Sequence, residues 1–166
     1  MSRVIRNNHF RRSILLTGLI LCIAAGLSSY QATADRILAL NYSESLPHWA
    51  FIIDRTRQPH VGDMVFFAPP VNRFYGKRPF VKRIAAGPGD SVSIIDQQLF
   101  INGEPLCMLL GTAKDGSALH PGPTGIIPDG QYFIHSNHER SYDSRYRDIG
   151  WISAGRIIGV VTDTIL

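Results

Sequence analysis

The segment Arg78-Pro-Phe-Val-Lys-Arg-Ile-Ala-Ala-Gly-Pro-Gly-Asp90 decides the fold class of this chain. Its aromatic and β-branched residues, ended by Gly-Pro-Gly, are typical of a β-strand followed by a tight turn. Because side chains alternate between the two faces of a strand, Lys82 shares a face with Phe80 and Ile84, and Arg83 lies on the other. Lys82 therefore either extends its ammonium to solvent or is buried with a lowered pKa.

Similar short runs of strand-forming residues, separated by Gly, Pro, Asn and Asp, continue beyond residue 40. Residues 96–98 are predicted to form a turn that joins the strands 91–95 and 99–101. Asn102-Gly103, directly after the second strand, is a typical hairpin turn. Residues 108–128, with four Gly and three Pro, predict a long irregular excursion of the kind that often forms a binding loop or lid. Since no strong amphipathic helix follows the N-terminal segment, the fold class is mainly β. The predicted strands are 64–67, 80–85, 91–95, 99–101, 131–134 and 156–162.

Residues 13–30 form an uncharged and mostly apolar stretch after a basic tail. As a helix, 18 residues extend about 27 Å, which roughly spans the core of a bilayer. Basic residues favour the cytoplasmic side, so we expect a cytoplasmic N-terminus and a body outside the cytoplasm. A cleaved signal peptide is the alternative interpretation, because Ala32-Thr33-Ala34 before Asp35 has the small-x-small form of a cleavage site. The predicted parts are therefore 1–34, a basic tail with anchor or signal peptide, and 35–166, a periplasmic domain.

The net charge of +4 belongs to the tail. Of the 17 Lys and Arg, four lie within residues 1–34, which contain no acidic residue, and the others balance the 13 Asp and Glu. A nucleic-acid binder needs positive charge on the folded face that meets phosphate, so no nucleic-acid partner is expected. Cys22 and Cys107 lie far apart and predict no disulfide. Without a CxxC or Cys/His spacing, the sequence predicts no metal and no cofactor.

Two polar segments contain residues capable of chemistry. Asn41-Tyr-Ser-Glu-Ser-Leu-Pro47 has two serines before a proline that favours extended backbone, although taken alone it is more typical of a turn. Residues 135–148 are dense in polar side chains directly after an apolar strand, so they form either a solvated loop or the wall of a site. His135, His138 and Glu139 could suggest a metal or a histidine base, but loop residues of this kind are usually solvated. A Ser–His–Asp triad also lacks the Gly-x-Ser-x-Gly elbow.

Together, three segments resemble the signal peptidase family of Ser/Lys peptidases. The matching motifs follow the order and spacing of that family over about residues 38–166: Ser43-Glu-Ser-Leu46, Lys82-Arg-Ile-Ala-Ala-Gly-Pro-Gly-Asp90 and Ser141-Tyr-Asp-Ser-Arg145. The resemblance implies a signal-peptidase-like β domain behind an N-terminal transmembrane helix. It also implies that a peptide substrate binds as an added strand.

By position, the resemblance assigns Ser45 as the nucleophile and Lys82 as its general base. It implies that the hydroxyl of Ser43, with the Ser45 backbone amide, forms the oxyanion hole. Three further residues would support the active site: Ser141, Asp143 and Arg145. The first of these would hydrogen-bond the lysine, and the other two would pair with each other.

Two departures from the leader peptidases bear on which branch of the family the chain resembles. His135-Ser136-Asn137 stands where those enzymes have Gly-Asp-Asn, and Pro47 follows Leu46 directly. With the short length of the chain, these features resemble the conjugative-transfer branch, the TraF-type peptidases. That resemblance implies cleavage of precursors such as pilin subunits, with cyclisation as a related outcome, and the membrane and transfer-apparatus proteins as partners. A general signal peptidase I for secreted preproteins and a non-catalytic, peptide-binding envelope module are the alternatives.

Overall fold

A computed structural model describes residues 2–41, 46–72, 74 and 76–165 of the chain. Within these residues one α-helix is followed by strands and a single turn of 3₁₀ helix. In chain order the elements are α1 (Ser2–Thr33), β1 (Arg36–Leu40), β2 (Ala50–Asp54), β3 (Met64–Phe67), β4 (Phe80–Ala86), β5 (Ser91–Ile95), β6 (Gln98–Ile101), β7 (Glu104–Met108), β8 (Gly125–Ile126), β9 (Gln131–His135), β10 (Ile152–Ser153), the 3₁₀ turn (Ala154–Arg156) and β11 (Ile157–Ile165). The predicted mainly β class is confirmed.

The helix α1 belongs to the first of two compact units, Met1–Ile37. Its segment Arg12–Tyr30 has a mean hydropathy of 1.9 and none of it is buried within the protein. A helix that is apolar on all sides is stable either in a protein core or in a membrane. This helix is long and apolar enough to cross a bilayer, and its apolar segment begins one residue from the predicted start.

The second unit, Leu38–Leu166, is built from two β-sheets. The larger sheet has the strand order β1-β2-β11-β3-β4-β9-β10, and the smaller has the order β7-β6-β5-β8. In the larger sheet β4 lies between β3 and β9 and pairs antiparallel with both. A strand with hydrogen-bonded neighbours on both sides is a rigid position for a functional side chain.

Two tight turns in the smaller sheet agree with the sequence pattern. Asn102 and Gly103 join β6 to β7 with φ of 52° and 84°, the positive values that a type I′ turn requires. Asp96 and Gln97, with φ of 50° and 65°, join β5 to β6. That loop has two residues because Gln98 already pairs with Ile95, so the turn predicted at residues 96–98 is one residue too long.

Sequence patterning does not predict five of the strands: β1, β2, β7, β8 and β10. In β2 the consecutive residues Ala50 and Phe51 are both buried, so the alternation that identifies a half-buried strand is missing. Strand β7 contains Pro105, which is tolerated there because β7 is an edge strand. Strands β8 and β10 have two residues each, too few for any periodicity.

The hydrophobic core lies between the two sheets. It combines Val65, Ile84 and Phe133 of the larger sheet with Val92 and Leu99 of the smaller one. Each of these side chains is at most 2% exposed. Because residues from distant parts of the sequence meet here, the core fixes the position of β4 and of the segment that follows β9.

Candidate active site

Lys82 lies in the interior of the larger sheet, where its Cα is paired with that of Val65 on β3. The residue is only 3% exposed, and Ile84 on the same face is fully buried. Arg83 is exposed and donates from its guanidinium to the carbonyl of Gly62. Lys82 therefore points into the protein and Arg83 to solvent, although Val81, on the face of Arg83, is also buried.

Burial lowers the pKa of Lys82 from 10.5 to about 8. Desolvation is the largest cause, because it disfavours the ammonium form. The negative charge of Asp143 acts in the opposite direction, and the positive charge of Arg145 reinforces the lowering. The Nζ atom also lies 5.7 Å from the centroid of the Phe80 ring, a contact that favours the ammonium when it is present. A substantial fraction of neutral amine near pH 8 gives Lys82 the capacity of a general base.

Asp143 and Arg145 form a buried ion pair in the segment after β9. Arg145 Nε donates to Asp143 Oδ1 at 2.8 Å, and Nη2 donates to Oδ2 at 3.0 Å. This two-point geometry is the strongest arrangement of guanidinium and carboxylate. Both side chains are almost fully buried, so each charge depends on the other for stabilisation.

The contact between Asp143 and Arg145 stabilises the charged form of both side chains. Burial alone would raise the pKa of the Asp143 carboxyl, but a hydrogen bond with His135 and the neighbouring Arg145 guanidinium together hold it below its ordinary value. Burial alone would lower the pKa of Arg145, and the Asp143 carboxylate instead raises it. Near neutral pH the pair is therefore ionised, with a fixed negative and a fixed positive charge acting on Lys82.

Two serines of the same segment have different surroundings. Ser144 Oγ accepts a hydrogen bond of 2.9 Å from the backbone N–H of Ile134, and its own N–H donates to the Ile134 carbonyl at 3.1 Å. Ser144 thus attaches the segment to β9. Ser141 Oγ is buried without a hydrogen-bond partner in the described part of the chain. The hydrogen bond between Ser141 and Lys82 implied by the family resemblance therefore stays a prediction.

Ser45 and Ser43 lie outside the described residues, and so does the whole stretch 42–45. Hydrogen bonds connect the residues on either side of that stretch. Asn41 Nδ2 donates to the carbonyls of Leu46 at 3.1 Å and His48 at 2.7 Å, and the Asn41 backbone N–H donates to the Trp49 carbonyl at 2.8 Å. Asn41 therefore joins the described residues on either side of the stretch 42–45, which contains the predicted nucleophile.

The excursion predicted at residues 108–128 packs against the segment of Asp143 and Arg145. The Gly122 N–H donates to the Arg145 carbonyl at 2.8 Å, and the Leu110 N–H donates to the Tyr146 hydroxyl at 3.2 Å. A Cβ atom at Gly122 would lie 2.4 Å from the Ser144 carbonyl oxygen, so only glycine allows this approach. The excursion is thus a support for the candidate site.

A cleft of about 380 Å³ borders the same segment. Val71 and Leu119 contribute to its walls, together with Tyr142, whose hydroxyl donates to Asp148 at 2.5 Å. The lining does not include Lys82, so the cleft is separate from the buried lysine.

Three features of the site were not identifiable from sequence: the contacts of Asn41, the close approach at Gly122 and the contact between His135 and Arg145. Asn41 contacts Leu46 and His48 through its side chain, and no sequence pattern predicts these contacts. Gly122 is one of four glycines in its excursion, and only the approach of residues 144–145 distinguishes it from the others. The contact of His135 depends on a chain reversal between residues 136 and 145 that no periodic pattern predicts.

The fold and the site define a class of protein. A serine hydroxyl needs a base near neutral pH, and a lysine whose pKa is about 8 can serve as one. A serine-containing β domain with such a lysine, behind an apolar helix, has the chemistry of a membrane-associated Ser/Lys endopeptidase.

The comparisons with known proteins agree with this class. Residues 10–165 match the family described as signal peptidase, peptidase S26, and the chain belongs to this family of serine endopeptidases, in which a Ser/Lys dyad is characteristic. It is similar to a conjugal transfer protein TraF of Agrobacterium tumefaciens (strain 15955), with 33% identity over 89% of this chain and 95% of that protein. It is also similar to signal peptidase I V of Bacillus subtilis (strain 168), with 30% identity over 66% of this chain and 68% of that protein. A solved signal peptidase I from Enterococcus faecalis V583 is 26% identical, with a TM-score of 0.42 over 64% of this chain and 98% of that one.

Proposed function

We propose that Ser45 is the nucleophile and Lys82 the general base of a membrane-anchored endopeptidase that cleaves exported precursors. The observation that carries this proposal is the burial of Lys82, which lowers its pKa to about 8 within the motif of residues 82–90. A lysine that only served solubility would extend its ammonium to water and keep its ordinary pKa. The burial of a single lysine beside an ion pair is unfavourable for folding. A catalytic role would explain why the protein keeps a lysine at this position.

The proposed reaction begins when neutral Lys82 takes the hydroxyl proton of Ser45 as the Ser45 oxygen attacks the scissile carbonyl. The tetrahedral oxyanion is stabilised by the hydroxyl of Ser43 and the backbone N–H of Ser45. The lysine then gives its proton to the departing amine, and an acyl-enzyme is left on Ser45. Water, deprotonated by Lys82, releases the acyl group and regenerates the enzyme.

The segment after β9 supports this reaction. Ser141, buried and with an unused hydroxyl in the described structure, is proposed to hydrogen-bond Lys82 once substrate and Ser45 are in place. Asp143 and Arg145 orient the segment through their ion pair and set the electrostatic potential at the lysine. Their own charges do not change during the reaction.

For the substrate we propose leader or propeptide segments of pilin subunits of a conjugative transfer system. Support comes from the relatives named conjugal transfer protein TraF, one of which aligns over 95% of its length. A terminal amine in place of water would release the acyl group by transpeptidation, and therefore by cyclisation when the amine belongs to the same subunit. The similarity to signal peptidase I of Bacillus favours a second candidate, the general removal of signal peptides from secreted preproteins.

We further propose that α1 is a retained anchor in the inner membrane, with residues 1–34 forming the tail and anchor and residues 35–166 the periplasmic peptidase domain. The four arginines that precede the apolar stretch support a cytoplasmic N-terminus. An anchor of this kind holds enzyme and membrane-bound precursor at the same depth, which raises their effective concentration. Transfer-apparatus proteins are the partners that this location makes available.

The test is mass spectrometry of a candidate pilin precursor incubated with the full-length protein in membranes. Ser45→Ala and Lys82→Ala should each abolish the shortened product while leaving the protein folded. Ser93→Ala and Lys77→Ala are matched controls, because both residues are exposed, and they should process normally. Normal processing by Ser45→Ala would refute the nucleophile, and a product from a secreted preprotein but not from pilin would favour the general signal peptidase. Cyclisation would appear as a product 18 Da lighter than the linear mature subunit, the mass of one water.

A further inference from the structure

The cleft of about 380 Å³, whose lining does not include Lys82, is formed where three segments distant in sequence meet. Residues 71–72 lie between β3 and β4, residues 118–120 belong to the excursion between β7 and β9, and the remaining lining residues, 142, 146 and 148, follow β9. The volume is within the range of about 300 to 1,000 Å³ that is usual for ligand pockets. No step of the proposed reaction uses this cleft, so the reaction leaves its occupant unassigned.

Hydrogen bonds within the protein fix the walls of the cleft. The Arg147 N–H donates to the His120 carbonyl at 2.9 Å, which joins the excursion to the segment after β9. Asn72 Nδ2 donates to the Pro70 carbonyl at 3.0 Å, and Asn72 Oδ1 accepts from the Phe74 N–H at 3.1 Å, so the wall between β3 and β4 is held as well. The cleft is therefore formed before a ligand binds, and little ordering of the protein opposes binding.

The surface of the cleft is partly aromatic and partly aliphatic. The rings of Tyr142 and Tyr146 are stacked, with centroids 5.8 Å apart and 20° between their planes, and both residues are at most 6% exposed. Val71 is 70% exposed and forms the aliphatic part of the lining together with Ala118 and Leu119. Such walls can pack against the aliphatic stem of a long side chain that carries its polar group at the tip.

Asp148 supplies a negative charge at this cleft. It is the only acidic residue among the described lining residues, and it makes no ion pair in the described part of the chain. Its Oδ2 accepts the Tyr142 hydroxyl at 2.5 Å, which orients the carboxylate. An ionised carboxylate can accept several hydrogen bonds, so this contact leaves acceptor sites for a ligand. The cleft therefore complements a cation at the end of an aliphatic stem.

We propose that this cleft binds an arginine or lysine side chain of the peptide substrate, with its stem against the apolar walls and its cation against the Asp148 carboxylate. That the bound peptide is a substrate rests on the proposed function. Tyr142 lies between Ser141 and Asp143 of the candidate active site, and consecutive Cα atoms are only 3.8 Å apart, so one extended peptide can occupy both places. The contact is the same before and during the reaction, so it lowers KM and leaves kcat unchanged.

The first test measures binding to the full-length Ser45→Ala variant, which is expected not to cleave, in micelles of an uncharged detergent. The probes are acetyl-Ala-Ala-Arg-Ala-Ala-amide and the same peptide with lysine, norleucine or glutamate in place of arginine, at low salt so that screening is weak. In the ¹⁵N-labelled protein, the arginine and lysine peptides should shift the amide resonances of residues 118–120 and 142–148. They should bind about 3- to 10-fold more tightly than the other two peptides, as expected for a charge-assisted contact that stays partly exposed to water. Shifts confined to other residues, no binding, or equal binding of the glutamate or norleucine peptide would overturn the proposal.

The same titrations with Asp148→Asn test the role of the charge. Asparagine keeps an oxygen that can accept from the Tyr142 hydroxyl and removes the negative charge, so the arginine peptide should bind no more tightly than the norleucine peptide. Asp163→Asn is the matched control, because Asp163 is an exposed carboxylate on β11 outside the cleft, and it should keep the full preference. An unchanged preference for arginine in Asp148→Asn would contradict the proposal. The comparison of the four peptides decides the question even if that variant fails to fold.

Cleavage gives a second readout in the active protein. Arginine or norleucine is placed at successive positions of a cleavable peptide, on both sides of the scissile bond. At one position arginine should lower KM by about 3- to 10-fold with kcat unchanged, and Asp148→Asn should remove that advantage. Equal KM values for arginine and norleucine at every position would overturn the proposal. So would an Asp148→Asn variant that changes kcat and KM alike for every peptide, because that is the effect of a purely structural residue.

The proposed reaction and the proposed cleft ligand fail in different ways. If Ser45→Ala and Lys82→Ala process the precursor normally, the reaction is wrong, whereas the titrations still report the preference of the cleft for basic peptides. If the basic peptides do not bind, the cleft ligand is wrong, whereas loss of processing in Lys82→Ala still supports the reaction.

Discussion

At the scale of single residues, the burial of Lys82 is unfavourable for stability. Its side chain is buried between apolar strands, where an ammonium is poorly solvated. Its position on β4 and on the apolar face could be predicted from the motif and from strand alternation. The surroundings that set its pKa could not, because Asp143 and Arg145 are about 60 residues away in sequence and approach it only through the fold.

A stability prediction follows from the lowered pKa of Lys82. In the unfolded chain the pKa is near 10.5 and in the folded protein about 8, so between these values folding releases a proton and stability rises with pH. Below pH 8 the cost of the buried charge is complete, at most roughly 3 kcal/mol. Lys82→Met, which keeps the length of the side chain without its charge, should therefore raise the free energy of unfolding at pH 7 by about 1 to 3 kcal/mol.

The measurement is thermal unfolding of wild type and Lys82→Met at pH 7 and at several values up to pH 10.5. The advantage of the variant should decrease across the window from pH 8 to 10.5, and Lys77→Met, at an exposed lysine, should show no such trend. A variant that is less stable than wild type at pH 7 would contradict the account.

At the scale of secondary-structure elements, the smaller sheet shows which features sequence patterns can predict and which they cannot. Asn102-Gly103 identified a hairpin because few sequences satisfy two positive φ angles in succession. The excursion between β7 and β9 could be predicted only as irregular. Its contact with residues 144–147 depends on individual hydrogen bonds, such as that from Gly122 to Arg145, and these have no sequence period.

The excursion is expected to control the active-site segment through Gly122. A methyl group there would meet the Ser144 carbonyl at 2.4 Å, so either the excursion or the segment must shift. Gly122→Ala should lower stability by about 1 to 3 kcal/mol, which is the usual effect of overpacking, and should reduce kcat/KM because Asp143 and Arg145 move. Gly111→Ala is the matched control in the same excursion, since a Cβ atom there meets nothing within 4 Å. Equal stability and activity of the two variants would show that the contact at Gly122 does not support the site.

At the scale of the whole molecule, an apolar helix precedes a β domain whose core joins two sheets. The helix could be predicted from composition alone, because an uncharged, apolar stretch of this length is typical of a helix that spans a membrane. The pairing of β2 with β11, which joins residues about 110 positions apart, could not be predicted, since non-local strand pairing leaves no local pattern. Two of the family motifs contain Lys82, Asp143 and Arg145, which the fold brings close enough to interact electrostatically, whereas Ser43 and Ser45 lie outside the described residues.

The arrangement across the membrane gives a prediction at this scale. A reporter that is active only outside the cytoplasm should be active when fused after Leu166, and the full-length protein should sediment with membranes. N-terminal sequencing of the purified protein distinguishes a retained anchor from a signal peptide. A mature protein that begins at Asp35 would exclude the retained anchor while leaving the peptidase mechanism intact. An inactive reporter would contradict the proposed orientation.

The most direct test of Lys82 as general base is the dependence of kcat/KM on pH from about 5 to 10, because this ratio reports the ionisation of the free enzyme. Since Lys82 must be neutral to accept a proton and burial lowers its pKa to about 8, activity should rise with pH and reach half its maximum near pH 8. A histidine base would instead give a half-maximum near pH 6.5. A rate that is already constant from pH 7 upward, with its rise near pH 6.5, would contradict the account.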